Sequence, residues 1–405
     1  MPDWIQENPD NLSSADIVVA ISSRNDADTI AFPTEQVSLG LREYFKGRKA
    51  VIVACDDASK DATKDAFFGA PCQVPRIYLS TVEGATGKGT SIKHLLRLVR
   101  TLGASAIVVV GADLKSITPK WIRHLGEPLF DDFGFVAPLY LRHKYDGNLT
   151  NNFAYPFTRC LYGRRVRQPI VGDFGFSGEL AQFYLGHETW DDDVAHAGIG
   201  IWMSTLAMYH RRPITQAFLG SPKIHKPREP SAEPGALFRQ VIGTMFHLSE
   251  AFAPFWREVR WSRPTAIFGF GLGETEMPPP VSVDIEGLHD GLRRGAESYA
   301  DVWKEALAPA THAKVQEVLD LDFAHFEFPT TLWAQCLFDA AVAYRDRILP
   351  RDQLLDSLAP LYQGKTLTYV RATEGMAMHQ AEEYVEEQCL AYEEAKPYLL
   401  ARWGA

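Results

Sequence analysis

The chain has 405 residues, 46 % hydrophobic and 23 % charged, with 51 acidic against 41 basic side chains. That length carries two or three domains at roughly 150 residues each and a core of ordinary size. The acidic balance implies no overall basic surface and argues against nucleic acid as the main partner. The longest apolar stretch, near Ala106–Val110, falls far short of the ~18 residues of a spanning helix, and the polar start Met1-Pro2-Asp3-Trp4 does not read as a secretory signal. Five scattered cysteines without a Cys-x-x-Cys pair fit reduced thiols in a cytoplasmic protein.

In chain order, Ile17–Ile21, Ala50–Ala54 and Ala106–Val110 read as buried strands, with a further strand near Phe135–Leu139. Between the second and third, Thr90–Thr101 places Ile92, Leu95, Leu96 and Val99 at helical spacing. Continuous apolar strands alternating with helices predict an α/β fold, a mainly parallel sheet covered on both faces. From about Pro234 the pattern turns helical, with helices expected over Val283–Tyr299, Ala300–Leu307, Pro329–Ile348, Arg351–Tyr362 and Thr366–Leu400. The domain expectation is therefore residues 1–230 as the α/β unit, 231–280 as a connector containing Met277-Pro278-Pro279-Pro280, and 281–405 as an all-α region.

Ligands of open parallel sheets bind beyond the carboxyl ends of the strands. The residues following each strand are Ser22-Ser23-Arg24-Asn25-Asp26, then Cys55-Asp56-Asp57-Ala58-Ser59-Lys60-Asp61-Ala62-Thr63, then Gly111-Ala112-Asp113. An acid at the end of a buried strand, such as Asp113, is costly unless paired or metal-bound; capping of the helix at Thr118–Trp121 is the other reading. Gly87-Lys88-Gly89 offers an amine and backbone N–H groups to a phosphate, or is an exposed turn. Gly269-Phe270-Gly271-Leu272-Gly273 lies outside any strand–helix unit and reads as loop. Single loop histidines, His225 among them, read as surface residues on their own, and Arg164-Arg165-Val166-Arg167 as an anion partner or a charged surface.

Taken in order, these segments resemble the GT-A glycosyltransferases of the family 2 type, more narrowly the retaining enzymes that make glucosyl-3-phosphoglycerate and mannosylglycerate. The motifs cover residues 15–230. Asn25-Asp26 stands where the family has its Asn-Glu turn, and Asp56–Thr63 is similar to the Asp-Asp-Gly-Ser-x-Asp-x-Thr segment that receives the base. Gly87-Lys88-Gly89 is similar to the Pro-Gly-Lys-Gly loop, Gly111-Ala112-Asp113 to the Asp-x-Asp metal motif, and Gln168–Asp173 to the Gln-Pro-Leu-x-Gly-Glu segment by the donor. His225 falls at the family's third metal ligand. The chain departs from the pattern at Gly111 and at Gly200, both in the place of an expected acid, and Asp173 replaces Glu.

The resemblance implies a GT-A domain plus a helical C-terminal region, and transfer of glucose or mannose from UDP-glucose or GDP-mannose to a small hydroxylated anion such as glycerate, with retention. It implies Mg²⁺ or Mn²⁺ on Asp113 and His225. The donor would meet Ser22, Arg24, Asn25, Asp56, Asp57, Lys88, Ala112, Gln168 and Gly172, with Asp173 and Lys88 as catalytic candidates. The basic-aromatic loop of Arg142, Lys144 and Tyr145, with Arg164 and Arg167, is expected to meet the acceptor. The helical half is expected to shape the acceptor pocket or a homodimer interface, and the product to be a compatible solute. The glycines at 111 and 200 keep open a second reading, a degenerate protein that binds nucleotide sugar or a partner without turnover. A nucleotidyltransferase, which would release diphosphate, is a third.

Overall fold

Runs of β-branched residues build the centre of a single mixed sheet. The computed structural model describes residues 4–225, 235–269 and 277–404. The strands are β1 (Trp4–Glu7), β2 (Ile17–Ser23), β3 (Ala50–Asp56), β4 (Arg76–Thr81), β5 (Ala106–Gly111), β6 (Phe135–Leu141), β7 (Phe174–Ser177), β8 (Ile214–Pro222) and β9 (Ala266–Phe268), in the spatial order β1-β4-β3-β2-β5-β7-β6-β8-β9. β2 lies parallel between β3 and β5, with Val19 opposite both Ile52 and Val108. β4 continues this parallel set, β8 and β9 run parallel to β6, and β1 and β7 are the antiparallel members.

β2, β3 and β5 are buried on both faces, which is why they read as unbroken apolar runs. Helices Ala31–Tyr44 and Pro119–Gly126 cover one side, contributing Val37, Leu41, Trp121, Ile122 and Leu125 to the core beneath Val19, Ile21, Val108 and Val110. Helix Lys88–Leu102 extends the predicted Thr90–Thr101 at both ends and ends at Gly103 in the left-handed conformation. The fold class is the one expected, a mostly parallel α/β sheet followed by a helical C-terminal region.

The boundaries differ from the expected ones. One compact unit comprises Met1–Leu141, Val166–Arg228 and Thr265–Pro278; the other comprises Arg142–Arg165, Glu229–Pro264 and Pro279–Ala405. Arg142–Arg165 therefore belongs with the helices. Its carbonyl at Asn152 accepts from Trp333 Nε1 and Tyr392 Oη, each at 2.9 Å, and the buried Arg159 pairs with Glu386 and Glu393. The expected connector contains helix Gly235–Ala251, which buries Phe238, Val241, Ile242, Met245 and Phe246. The boundary at residue 230, Met1–Asp3 and Phe270–Gly273 lie outside the described residues.

Helix Ile285–Ala306 joins two expected segments, and Arg351–Thr373 and Met378–Trp403 meet near Gly375, later than expected. Gly291 and Gly295 let the first of these helices approach Gln363 and Pro360, since a Cβ at Gly295 would lie 2.1 Å from the Pro360 side chain. Among the described residues no helix is long and apolar enough to cross a membrane.

Candidate functional site

The chain passes from β2 to β3 and β4 on one side, then returns to β5 on the other, so the carboxyl ends of β2 and β5 mark a topological switch point. Ser22 and Gly111 are register partners there, and the Ala112 N–H donates to Ser22 O at 2.9 Å.

On the β3 side, two loops are laced together. Asp56 is fully buried and accepts from Ser23 Oγ (2.8 Å), Ser59 N (2.8 Å), Ser59 Oγ (2.6 Å), Tyr78 Oη (3.0 Å) and Ser80 Oγ (3.1 Å). Its lone pairs are taken, so it anchors the ends of β2, β3 and β4 and is not a donor contact as expected. Asn25, in the left-handed conformation, donates from N to Ser59 Oγ at 2.8 Å and accepts from Lys60 N at 2.8 Å. Asp26 N reaches Thr63 Oγ1, and Asp61 takes Ala27 N and the Thr63 hydroxyl.

Asp57 is 5 % exposed and accepts from Arg24 Nη1 (2.9 Å), Thr81 Oγ1 (3.3 Å) and Gly87 N (2.6 Å). The Gly87 N–H is thereby used within the protein, and the Gly89 N–H donates to His196 O at 3.2 Å. The glycines of Gly87-Lys88-Gly89 serve close approach. Gly87 has φ +145°, and a Cβ on Gly89 would lie 1.8 Å from Val194 O. The motif therefore packs against Asp192–Ala195; Lys88, the first helical residue, is half-buried. It also lies close enough to bear on Cys55, whose thiol is pushed up to about 12 by burial.

The β5 side is built differently. β7 runs antiparallel to β5, with Phe174 opposite Val109, so Asp173 arrives beside the end of β5. Asp173 is 1 % exposed, and its Oδ1 accepts from Gly111 N at 2.9 Å. Its Oδ2 accepts from the Tyr140 hydroxyl at the end of β6 and from Lys223 Nζ at 2.6 Å, just beyond β8. Burial alone would raise the Asp173 carboxyl, but the Lys223 charge and these hydrogen bonds outweigh it and hold the carboxyl below its ordinary range. The acid thought to touch the reacting centre is thus covered, with Lys223 the more exposed member of the pair at 15 %.

Next to this pair, a Cβ on Gly111 would lie 2.9 Å from Asp113 Oδ1 and 3.7 Å from Asp173 Oδ1. Asp113 is half-buried, and its carboxylate makes no hydrogen bond or ion pair among the described residues. Leu114 forms an antiparallel bridge with His225, and Lys115 N donates to Ile224 O at 2.8 Å, so Asp113 and His225 sit on adjoining segments. Among the described residues, this donor set does not by itself fill the coordination of a divalent cation. Among the described residues no three His, Cys, Asp or Glu side chains converge on one point. Position 111 carries no carboxylate, both Asp173 oxygens are engaged, and an ammonium stands beside the set, whereas hard divalent cations need several oxygen ligands.

Ala112 is buried in the core, so its side chain is not a donor contact. Gln168 is 5 % exposed and its Oε1 has no hydrogen-bond partner among the described residues. Gly172 is half-buried with Lys223 Nζ 3.1 Å from where its Cβ would stand. Gly200 is not an acid's vacant place. A Cβ there would lie 2.5 Å from Val171 O, so the start of helix Ile199–Tyr209 presses on the backbone of the Gln168–Asp173 segment.

The expected acceptor residues divide between the two units. Lys144 donates to Thr373 O (2.6 Å), Glu374 O (2.8 Å) and Met376 O (2.8 Å), closing the end of helix Arg351–Thr373. Tyr145 donates to Val370 O at 3.2 Å. Both are structural parts of the helical unit. Arg142 stands 3.9 Å from Asp146, and Arg164 forms a bridge with Arg263 whose like charge, after burial, lowers the Arg164 pKa. Arg167, in the first unit, donates its N–H to Gln216 Oε1 at 2.7 Å.

Lys223 and Tyr140 were not anticipated. The signal was present. In an extended segment residues two apart share a face, and Lys223 precedes His225 by two.

No family model matches the chain, and no curated protein matches it. Among solved structures the chain is similar to glucosyl-3-phosphoglycerate synthase from Mycobacterium tuberculosis in complex with Mn²⁺, uridine diphosphate and phosphoglyceric acid, at 22% identity over 57% of this chain and 78% of that one, TM-score 0.44. It is also similar to the same synthase with Mn²⁺, UDP-glucose and phosphoglyceric acid, at 23% identity over 57% and 79%, TM-score 0.44. A third structure, with Mn²⁺, UDP-glucose and glycerol 3-phosphate, matches at 22% identity over 57% and 79%, TM-score 0.43.

Proposed function

We propose that the first unit binds a nucleoside diphosphate sugar at the β2/β5 edge and that the protein is a hexosyltransferase acting on a small hydroxylated anion such as glycerate or its phosphate. The observation that carries this reading is the pairing, along one sheet edge, of a pre-locked acidic rim at Asp56–Thr63 with a side-chain-free floor at Gly111 beside the Lys223 ammonium. The rim fixes two loops before any ligand arrives, which lowers the ordering cost of binding. The floor lets a phosphate approach the backbone, and the lysine supplies positive charge where a diphosphate would lie.

In the reaction, the bond from the anomeric carbon to the diphosphate oxygen breaks and a bond to the acceptor oxygen forms. The acceptor hydroxyl's proton passes to solvent, and the nucleoside diphosphate departs with added negative charge. Lys88 and Lys223 are the proposed partners of that charge, with Ser22, Arg24, Asn25, Asp57 and Gln168 holding the rest of the donor. Asp173 acts through Lys223, as a positioning residue. Arg167, in the first unit, stays as a proposed anion partner. A cytoplasmic location belongs to the same proposal and agrees with five free cysteines.

The test is calorimetric titration with UDP, GDP, UDP-glucose and GDP-mannose, followed by product analysis with glycerate and 3-phosphoglycerate. Micromolar binding of one nucleotide and its sugar, with release of the nucleoside diphosphate in the presence of acceptor, is the expected result. Binding without product would select the degenerate reading, which Gly111 and the covered Asp173 favour. Release of inorganic diphosphate from UTP or GTP with a sugar 1-phosphate, in place of this transfer, would select a nucleotidyltransferase.

A further inference from the structure

The charges at the end of β5 have an internal logic. Asp113 is the one carboxylate there whose oxygens are uncommitted among the described residues, because Asp173 is neutralised by Lys223 at 2.6 Å. At this end of β5, Gly111 brings no carboxylate and Lys223 brings an ammonium. We infer that the Lys223 ammonium is the cation that meets the donor diphosphate, in the role a bound metal ion would otherwise fill, so that donor binding is independent of metal. This rests on the nucleoside diphosphate sugar reading above.

The geometry suits a fixed cation. Lys223 Nζ lies 4.8 Å from the centre of the Tyr140 ring and 3.5 Å from its hydroxyl. The side chain is 15 % exposed, so it is packed but not sealed from solvent. An ammonium has three donors. Asp173 takes one and Tyr140 weakly a second, and no described residue takes the third. Asp173 in turn is held by Gly111 N, so the carboxylate that orients Lys223 also fixes the floor of the site. The small residues matter too. A side chain on Gly172 would press on Lys223 Nζ at 3.1 Å, and one on Gly111 would enter the space between Asp113 and Asp173.

The experiment is titration of the full chain with UDP and with GDP, once in Mn²⁺ and once in excess EDTA. Equal affinity in both, for whichever nucleotide binds, is expected. Binding in Mn²⁺ that disappears in EDTA overturns the inference and leaves the donor reading standing. No binding in either overturns both. The wild-type comparison needs no variant to fold. A second arm uses Lys223→Met with Asp173→Asn, which removes the ammonium without stranding a buried carboxylate. Thermal unfolding checks its fold. A loss of about tenfold or more in affinity, the size of a lost charge-assisted hydrogen bond, is expected. Unchanged affinity in the folded double variant overturns the inference. Adding Gly111→Asp to that double variant is expected to make binding depend on Mn²⁺, and binding that still ignores the metal counts against the charge argument.

Discussion

Asp56 and Asp173 are both carboxylates buried at strand ends on the same edge of the sheet, and they are satisfied in opposite ways. Asp56 takes only neutral donors, the hydroxyls of Ser23, Ser59, Tyr78 and Ser80 and the N–H of Ser59. Asp173 takes a lysine ammonium, a tyrosine hydroxyl and the N–H of Gly111. The first arrangement knots three strand ends together and leaves no charge on offer. The second stores a charge pair whose positive member reaches the surface. A buried acid near a candidate site is therefore architectural or functional according to what answers its charge, and burial alone does not decide.

Removing the knot is expected to have the larger effect. Asp56→Ala strands several buried hydroxyls and should cost about 3–5 kcal/mol of stability, read by denaturant unfolding. Asp56→Asn, which keeps part of the network, should cost less. A loss under about 1 kcal/mol for the alanine variant would remove the distinction between the two acids.

The Asp173–Lys223 pair makes the opposite prediction, that two changes cost less than one. Asp173→Ala leaves a mostly covered ammonium and an unpaired Gly111 N–H. Lys223→Met leaves a buried carboxylate. Each should cost about 3 kcal/mol, with Asp173→Asn/Lys223→Met recovering most of the loss in a double-mutant cycle. The pH dependence has a definite sign. The folded carboxyl is depressed, so the pair's stabilisation is present above the unfolded value of about 3.9 and is lost as pH falls through the lower folded value. The double variant should show a flatter acid limb than the wild type.

The same contrast holds for cations in the helical unit. Lys365 is fully buried, donates to Thr330 Oγ1 at 2.7 Å and has Tyr384 and Glu327 nearby. Burial pushes its amine down to about 7, against the raising effect of Glu327. The unfolded chain then binds more protons between about pH 7 and 10, so stability should rise with pH across that window, by up to about 1.4 kcal/mol per pH unit. Lys365→Met should remove this slope and raise stability at neutral pH. A slope unchanged in the variant would assign it to another group.

The sequence made the sheet legible where strands are buried on both faces, as in Ile17–Ile21, Ala50–Ala54 and Ala106–Val110, because no polar residue interrupts them. β1, β7 and β9 are short, at three or four residues each, and carry too little pattern to be seen. In the site, the strand-end acids were legible, but their partners were not. Asp56 and Asp173 look alike until Tyr78, Ser80, Tyr140 and Lys223 are brought in by strand pairing from tens of residues away. Gly200 shows a related limit: a missing acid and a missing space look identical in sequence, and the 2.5 Å to Val171 O separates them.

Lys144 gives the smallest and most discriminating effect. In sequence, a lysine between His143 and Tyr145 reads as a lysine waiting for an anion. In the structure its ammonium is spent on the carbonyls of Thr373, Glu374 and Met376, as Asp56 is spent on hydroxyls. Those carbonyls lie at a helix end with partial negative charge, where a cation stabilises by about 1 kcal/mol. Lys144→Met should therefore lower stability by about that amount while leaving acceptor affinity unchanged. Isothermal titration of 3-phosphoglycerate against the variant, with unfolding measured on the same preparation, separates the roles. A fall in acceptor affinity at undiminished stability would return Lys144 to the binding site and show that a cation satisfied by neutral partners can still serve a ligand.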